Sequence, residues 1–407
     1  MGYRLVVAGS ENPVTPFMKG ALWIDKELGL DFAFSAEQSE LQQRVRRIAE
    51  ELIAPIAEEA DESPTVHAGL MAILANEGLL RYCVPAEYGG VGVRVMDLCI
   101  IREELARVSV QADTNFIMQG LGSYPITLGG TAEQKAKYLP PIARGESIAA
   151  FALTEPHAGS DVLSMKTEAH LDGDDWVLNG EKKFISQAGD ASTYTVFAKT
   201  DEGEGSRSLS CFVVEAGMAG FDDSKRMDLM ASHPIGEPRW IDCHIPQANL
   251  LGERGRGLRL ALGTLDTFRT TVAAAAIGMG QAAYEASLDF AKNRKMFGQN
   301  LSDFQATQFK LADMAVSLDA ARLLAHRAAW LKDSGQESII KEASFAKLFG
   351  TEAASRIINE AVQIHGGAGL ERGNRVERLY REVRALTIYE GTSEIQRQTI
   401  ARQLLRE

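Results

Sequence analysis

Cysteine is scarce. The four residues, Cys83, Cys99, Cys211 and Cys243, lie far apart in a chain of 407. None belongs to a C-x-x-C pair, so the spacing gives neither a zinc ribbon nor a redox dithiol, and a disulfide framework does not suit a chain this long. They read as buried, reduced thiols of a cytoplasmic protein. Long apolar runs are also missing. The best candidate, Thr270 to Tyr284, is shorter than the ~20 residues a membrane span requires, and its Ala and Gly content suits close helix packing. The run Leu5-Val6-Val7-Ala8 is too short for the core of a signal peptide. Positive charge is outweighed: 43 Lys and Arg stand against 55 Asp and Glu, for a net charge of −12. No basic footprint is left for nucleic acid. A focused basic pocket for a phosphorylated small molecule stays open.

The chain has room for about two to four domains. Residues 1–33 read as an irregular extension. Ser35-Ala36-Glu37-Gln38 has the form of a capping box, in which side chains satisfy the orphan amides of a helix start. Leu41, Val45, Ile48 and Leu52 then recur at helical spacing, and further helices are expected over 67–78, 95–108 and 131–145. Residues 34–150 therefore form an α-helical domain. The texture changes at residue 151. Trp176 to Leu178, Thr193 to Phe197 and Leu209 to Val214 are β-rich runs separated by Gly and Asp clusters. Residues 151–252 thus read as a small antiparallel sandwich or barrel. Residues 253–407 return to Ala-rich helical segments over 257–292, 302–333 and 337–363, lengths that suit an antiparallel bundle. The fold class is mainly α with a central β domain.

Four segments combine glycine with polar residues beyond what a scaffold needs. Phe151 to Asp161, at the α-to-β junction, offers the hydroxyls of Thr154 and Ser160 beside Gly159, although a capped turn would look the same. In Lys183 to Gly189, Phe184 and Ser186 fall on one side of a strand, a face suited to a flat heteroaromatic ring; a plain strand end is the alternative. Gln363 to Gly369 has three glycines in four residues after a helix, more than a C-cap uses, but it is no dinucleotide fingerprint. In Ile388 to Arg397, Ser393 and Gln396 form a second capping box, which places Glu390 in the turn before a terminal helix. Burial would raise the pKa of that carboxyl and the helix end would lower it, a setting for a general base. By itself the segment better suits a solvated loop glutamate.

Taken in order, these segments resemble the acyl-CoA dehydrogenase family of flavoproteins. Val84 to Gly92, Thr131 to Lys135 and Asn249 to Gly252 extend the resemblance over roughly residues 32–407. It implies an α domain, a small β domain and a C-terminal four-helix bundle. It also implies one FAD per subunit, held partly by a neighbouring chain, in a homotetramer (a dimer of dimers) or a dimer. By similarity, Phe151, Thr154, Phe184 and Ser186 would line the flavin ring, and Ser160 the flavin diphosphate or the acyl-CoA tail. Arg294, Phe297 and Gln305, with Gln363, Gly366 and Gly367, would bind the ADP half of FAD across a subunit interface. Thr392 and Glu394 would also contact the cofactor, Asp266 and Arg269 would meet the CoA portion, and Gly391 the substrate.

The implied activity is α,β-dehydrogenation of an acyl-CoA thioester to the trans-2-enoyl-CoA. Glu390 would take the α-proton and the β-hydrogen would leave as hydride to flavin N5. The Glu390 backbone N–H and a flavin ribityl hydroxyl would stabilise the developing enolate. Electrons would pass to electron-transfer flavoprotein. An acyl-CoA oxidase, or a dehydrogenase of carrier-protein-bound acyl groups, is the alternative on the same fold. No metal, membrane or nucleic acid is implied.

Some relatives carry their base on another helix, where this chain has Phe268, which cannot accept a proton. Ala112 stands where relatives that take glutaryl-CoA hold an Arg, which disfavours a dicarboxylic acyl group; Asp113 beside it reads as a solvated turn residue, a polar contact for an unusual acyl chain being the alternative. His157, Ser186 and the whole of residues 229–240 depart from the family's usual pattern.

Overall fold

The computed structural model describes residues 33–200 and 205–406. All but the last residue of the N-terminal extension lies outside them.

The first helix, α1 (Ala36–Arg47), starts at the Ser35 capping box with both reciprocal hydrogen bonds made, and buries Leu41 and Val45. A π-helical stretch, Ile48–Ile53, leads into α2 (Ala54–Asp61). Then follow α3 (Ala68–Asn76), α4 (Val95–Ala106), α5 (Val110–Gly129) and α6 (Ala132–Ala143). Every residue of α4 is buried. A helix covered all round cannot show an amphipathic stripe, because packed neighbours replace solvent on each face.

The β region holds β1 (Ala149–Ala152), β2 (Glu168–Asp172), β3 (Asp175–Glu181), β4 (Ile185–Ser186), β5 (Thr193–Lys199), β6 (Leu209–Glu215), β7 (Phe221–Asp222), β8 (Ile235–Gly236), β9 (Arg239–Pro246) and β10 (Leu250–Leu251). Eight of these form one sheet in the order β10-β6-β5-β2-β3-β9-β7, with β1 joined to β5. The sheet is mixed rather than antiparallel throughout. Strand β1 lies parallel to β5, and β2 meets β5 in parallel through Glu168 and Lys199. Strand β1 emerges from the helical region, so its direction is set by α5 and α6 rather than by a hairpin. The two-residue strands β4 and β8 pair separately.

A helical bundle follows: α7 (Gly257–Asn293), a hairpin of β11 (Lys295–Met296) and β12 (Gln299–Asn300), α8 (Gln305–Asp333), α9 (Ile340–His365), α10 (Arg375–Leu386) and α11 (Ser393–Leu404). Helix α7 is central and comes very close to α4. A Cβ on Gly278 would lie 2.2 Å from the Glu103 carbonyl oxygen. One apolar core joins all three parts, since Phe151, Leu251 and Phe268 pack with residues of α1 to α6. Among the described residues no helix is long and apolar enough to cross a membrane.

Candidate active site

Glu390 sits in the turn between α10 and α11 with φ 51°, a left-handed conformation that a non-glycine residue adopts only under restraint. The restraint comes from three helices. Lys347, in the first third of α9, donates from Nζ to the Gly391 carbonyl at 2.7 Å. Gln396 donates from Nε2 to the Gly391 carbonyl at 2.9 Å and to the Glu390 carbonyl at 3.2 Å. Arg269 of α7 reaches the Glu390 carbonyl at 3.4 Å and holds Asp266 at 3.1 Å. Gly391 must be glycine: its φ is 92°, and a Cβ there would lie 2.5 Å from Gln396 Nε2.

The expected capping box at Ser393 and Gln396 does not form. Thr392 is the N-cap, its side chain accepting from the Ile395 amide, and Gln396 is diverted to the two carbonyls of the turn. A buried amide gains more from two carbonyls of the turn than from one amide at a helix start.

The Glu390 carboxyl is poised. Its Oε2 is buried and has no hydrogen-bond partner among the described residues. Burial raises its pKa above the usual glutamate value, against the pull of Arg102, Arg269 and Lys347, and Asp113 adds to the rise. Burial also depresses Lys347, to about 8, despite Glu390 nearby.

Asp113 corrects the expectation of a solvated turn. It is 2% exposed, in the first turn of α5, and bonded through both oxygens to Arg102 at 2.7 Å each. Arg102 also donates to Thr271 Oγ1 at 2.9 Å. This pair was missed because Asp is ordinarily exposed, and its partner lies on a different helix. Phe268 is fully buried and packs edge-to-face on Tyr124, as an apolar residue should.

A second group gathers at the edge of the β region. Phe151 lies in β1 and packs on Phe197. The carbonyl of Thr154 accepts from the Lys183 amide at 2.9 Å, which brings the 151–154 and 183–186 segments together. Phe184 is 49% exposed, a large ring left open beside Ser186. Ser160 is exposed in a loop tied at its base by Glu155. That carboxylate takes the Lys166 and Thr167 amides and a buried ion pair with Lys182 at 2.8 Å, a pinning role that sequence reading overlooked.

A third group lies at the far end of the bundle. Arg294, Phe297 and Gln305 are exposed on and beside the β11–β12 hairpin, and Phe297 is 89% exposed. Gln363, Gly366 and Gly367 follow closely, because His365 stacks on Phe290 at the end of α7 with ring centroids 4.4 Å apart. A Cβ on Gly366 or Gly367 would meet nothing within 4 Å, so this backbone is open. Arg269 and Phe290 lie on one helix, roughly 30 Å apart at 1.5 Å per residue. Within one chain, the third group is therefore far from Glu390. Thr392 and the exposed Glu394 stay beside Glu390 at the start of α11.

An open aromatic face, a carboxylate with one buried and unbonded oxygen, and an exposed glycine-rich backbone with basic company fit a flavin nucleotide and a thioester. The comparisons agree. Residues 35–146, 150–239 and 255–405 match the models of the N-terminal, middle and C-terminal domains of acyl-CoA dehydrogenase. The chain is 41% identical over 377 residues to the 3-(aryl)acrylate reductase of Clostridium sporogenes, covering 92% of this chain and 100% of that one. It is 41% identical over 371 residues to the human mitochondrial short-chain specific acyl-CoA dehydrogenase, covering 90% and 89%. The solved butyryl-CoA dehydrogenase of Megasphaera elsdenii superposes with a TM-score of 0.88 at 35% identity, over 93% of this chain and 100% of that one. With three domain models in order and relatives at this identity along nearly the whole chain, the protein belongs to the acyl-CoA dehydrogenase family of FAD-dependent oxidoreductases.

Proposed function

We propose that the protein dehydrogenates an acyl-CoA thioester between Cα and Cβ to give the trans-2-enoyl-CoA, with Glu390 as general base. The observation that carries this reading is the unbonded Oε2 of Glu390, held on a left-handed turn by Lys347, Gln396 and Arg269. A thioester α-proton is barely acidic, so the base needs a raised pKa and fixed geometry. Burial supplies the first and the three side chains the second. Glu390 takes the α-proton into its carboxylate as the Cα–H bond breaks and the Cα=Cβ bond forms. The Glu390 backbone N–H donates to the thioester oxygen, where negative charge develops. FAD, when bound, supplies the acceptor for the hydride that leaves Cβ.

Phe151, Thr154, Phe184 and Ser186 would hold the ring half of FAD, and Ser160 the diphosphate or the thioester tail. Arg294, Phe297, Gln305, Gln363, Gly366 and Gly367 would hold the ADP half belonging to a neighbouring subunit. The roughly 30 Å along α7 between Arg269, which holds the Glu390 turn, and Phe290, beside the third group, supports assigning the third group to a neighbour's cofactor. Helix α8 supports assembly as well, for it exposes Phe309, Val316, Leu323 and Trp330 at seven-residue spacing, a heptad row of apolar side chains. We read the assembly as a homotetramer, the electron acceptor as electron-transfer flavoprotein, and the compartment as the cytoplasm. Four buried free cysteines support the last.

The test is anaerobic bleaching of the flavin by a panel of short, branched, cyclic and aromatic acyl-CoAs. Glu390→Gln should bind FAD normally and lose roughly 10²–10⁴ in the bleaching rate. Bleaching at the wild-type rate would remove Glu390 as the base.

A further inference from the structure

Residues 229–240, which depart from the family's usual pattern, bring a histidine to Ser186. His233 Nε2 lies 3.0 Å from the hydroxyl oxygen of Ser186. These residues are 47 apart in sequence, and the backbone brings them together through several contacts. Ser186 pairs with Ile235 and Ile185 with Gly236 across β4 and β8. The Gln187 amide donates to the Pro234 carbonyl at 2.6 Å, and Met227 to Ile235 at 3.0 Å. Pro234 biases His233 toward extended backbone, in line with the β8 strand that follows.

Ser186 is otherwise immobilised. It lies between Phe184 and Gln187, whose φ angles of 59° and 65° are both left-handed without being glycine. Such pairs of strained residues persist where the surroundings over-determine them, and they cluster at working sites. The Gln187 side chain is fully buried and is bonded to Gln119 at 3.0 Å and Asn115 at 3.3 Å. With the backbone locked on both sides, the remaining freedom of Ser186 is the rotation of its hydroxyl. A hydroxyl has one donor and two acceptor directions. The imidazole occupies one of them.

Resting on the reading of Ser186 as a residue that lines the flavin ring, we propose that His233 is a positioning residue, donating from Nε2–H to Ser186 Oγ so that the hydroxyl proton is presented to the flavin. The imidazole is suited to this, because burial lowers its pKa to about 4 and it is neutral at working pH. A neutral ring orients the hydroxyl without adding a charge beside the flavin. A directed O–H favours the ring as it gains electrons, so it acts on the flavin potential and on the absorption band.

The experiment compares the FAD-loaded wild type with Ser186→Ala, His233→Ala, the double variant and His233→Gln. The flavin midpoint potential and visible spectrum are read in each, with FAD affinity as the check on folding. His233→Ala should shift the potential to more negative values and perturb the band, by less than Ser186→Ala. The double variant should match Ser186→Ala alone, since His233 acts only through that hydroxyl. His233→Gln, with an N–H at similar reach, should recover most of the wild-type potential. If His233→Ala shifts nothing while Ser186→Ala does, or the two shifts add, the proposal is overturned and the flavin-site reading survives. If Ser186→Ala itself shifts nothing, both fall.

Discussion

The ammonium of Lys347 is fully buried and spends a hydrogen bond of 2.7 Å on the carbonyl of Gly391, the residue after the proposed base. A buried lysine is costly unless it does something no apolar residue could. Here it holds the turn and sets positive charge near the Glu390 carboxyl. Lys347→Met should lower kcat by about ten- to a hundredfold, the range for losing one hydrogen bond to a charged group. It should also move the acid limb of the kcat profile to higher pH, because removing a cation makes a carboxylate harder to form. Steady-state rates across pH check both.

The raised pKa of Glu390 has a signed consequence for stability. The folded state holds that proton more tightly than the unfolded state does. The contribution is therefore fully present below the unfolded glutamate value and is lost as pH rises through the higher folded value. Glu390→Gln keeps a neutral group throughout. Its melting temperature should match the wild type in acid and exceed it increasingly toward neutral pH. Thermal melts at a series of pH values test this.

Arg102 and Asp113 are both 2% exposed, so removing one leaves the other charged and unpaired in the core. Asp113→Ala should cost about 3–5 kcal/mol. The double change Arg102→Met with Asp113→Leu should recover most of it. Urea denaturation of the three variants measures the difference.

Gly278→Ala places a Cβ 2.2 Å from the Glu103 carbonyl oxygen, in a contact between backbones that no rotamer can relieve. Separation of α4 from α7 should cost about 1–3 kcal/mol, read in the same denaturation experiment.

The α8 stripe and the hairpin make a joint prediction. Val316→Glu with Leu323→Lys should reduce the assembly seen by light scattering. FAD retention should fall with it, because a chain alone would lack the neighbour's Arg294 and Phe297. Unchanged mass with unchanged FAD would place the interface elsewhere.

Signals that act over a few residues were legible without coordinates. The Ser35 capping box formed because its partners are three positions apart, and the strands at Trp176, Thr193 and Leu209 followed β-rich runs bounded by turns. Long helices in the bundle followed Ala-rich runs for the same reason. The second capping box failed at Ser393, where the same local pattern met two carbonyls of the turn that held Gln396 more strongly. Strand direction in the β region was also beyond local reach, since β1 pairs in parallel with β5, a distant segment of the chain.

The sequence by itself determined the element types, the family resemblance and Glu390 as the candidate base, for these rest on short-range patterns and on residue chemistry that no packing alters. Tertiary structure alone decided what surrounds the site. Lys347 meets Gly391 across 44 positions, His233 meets Ser186 across 47, and Asp113 turns from a surface residue into half of a buried pair with Arg102. Burial and partner distance set the energy of a charge or hydroxyl, and both are properties of the folded chain rather than of any segment in it.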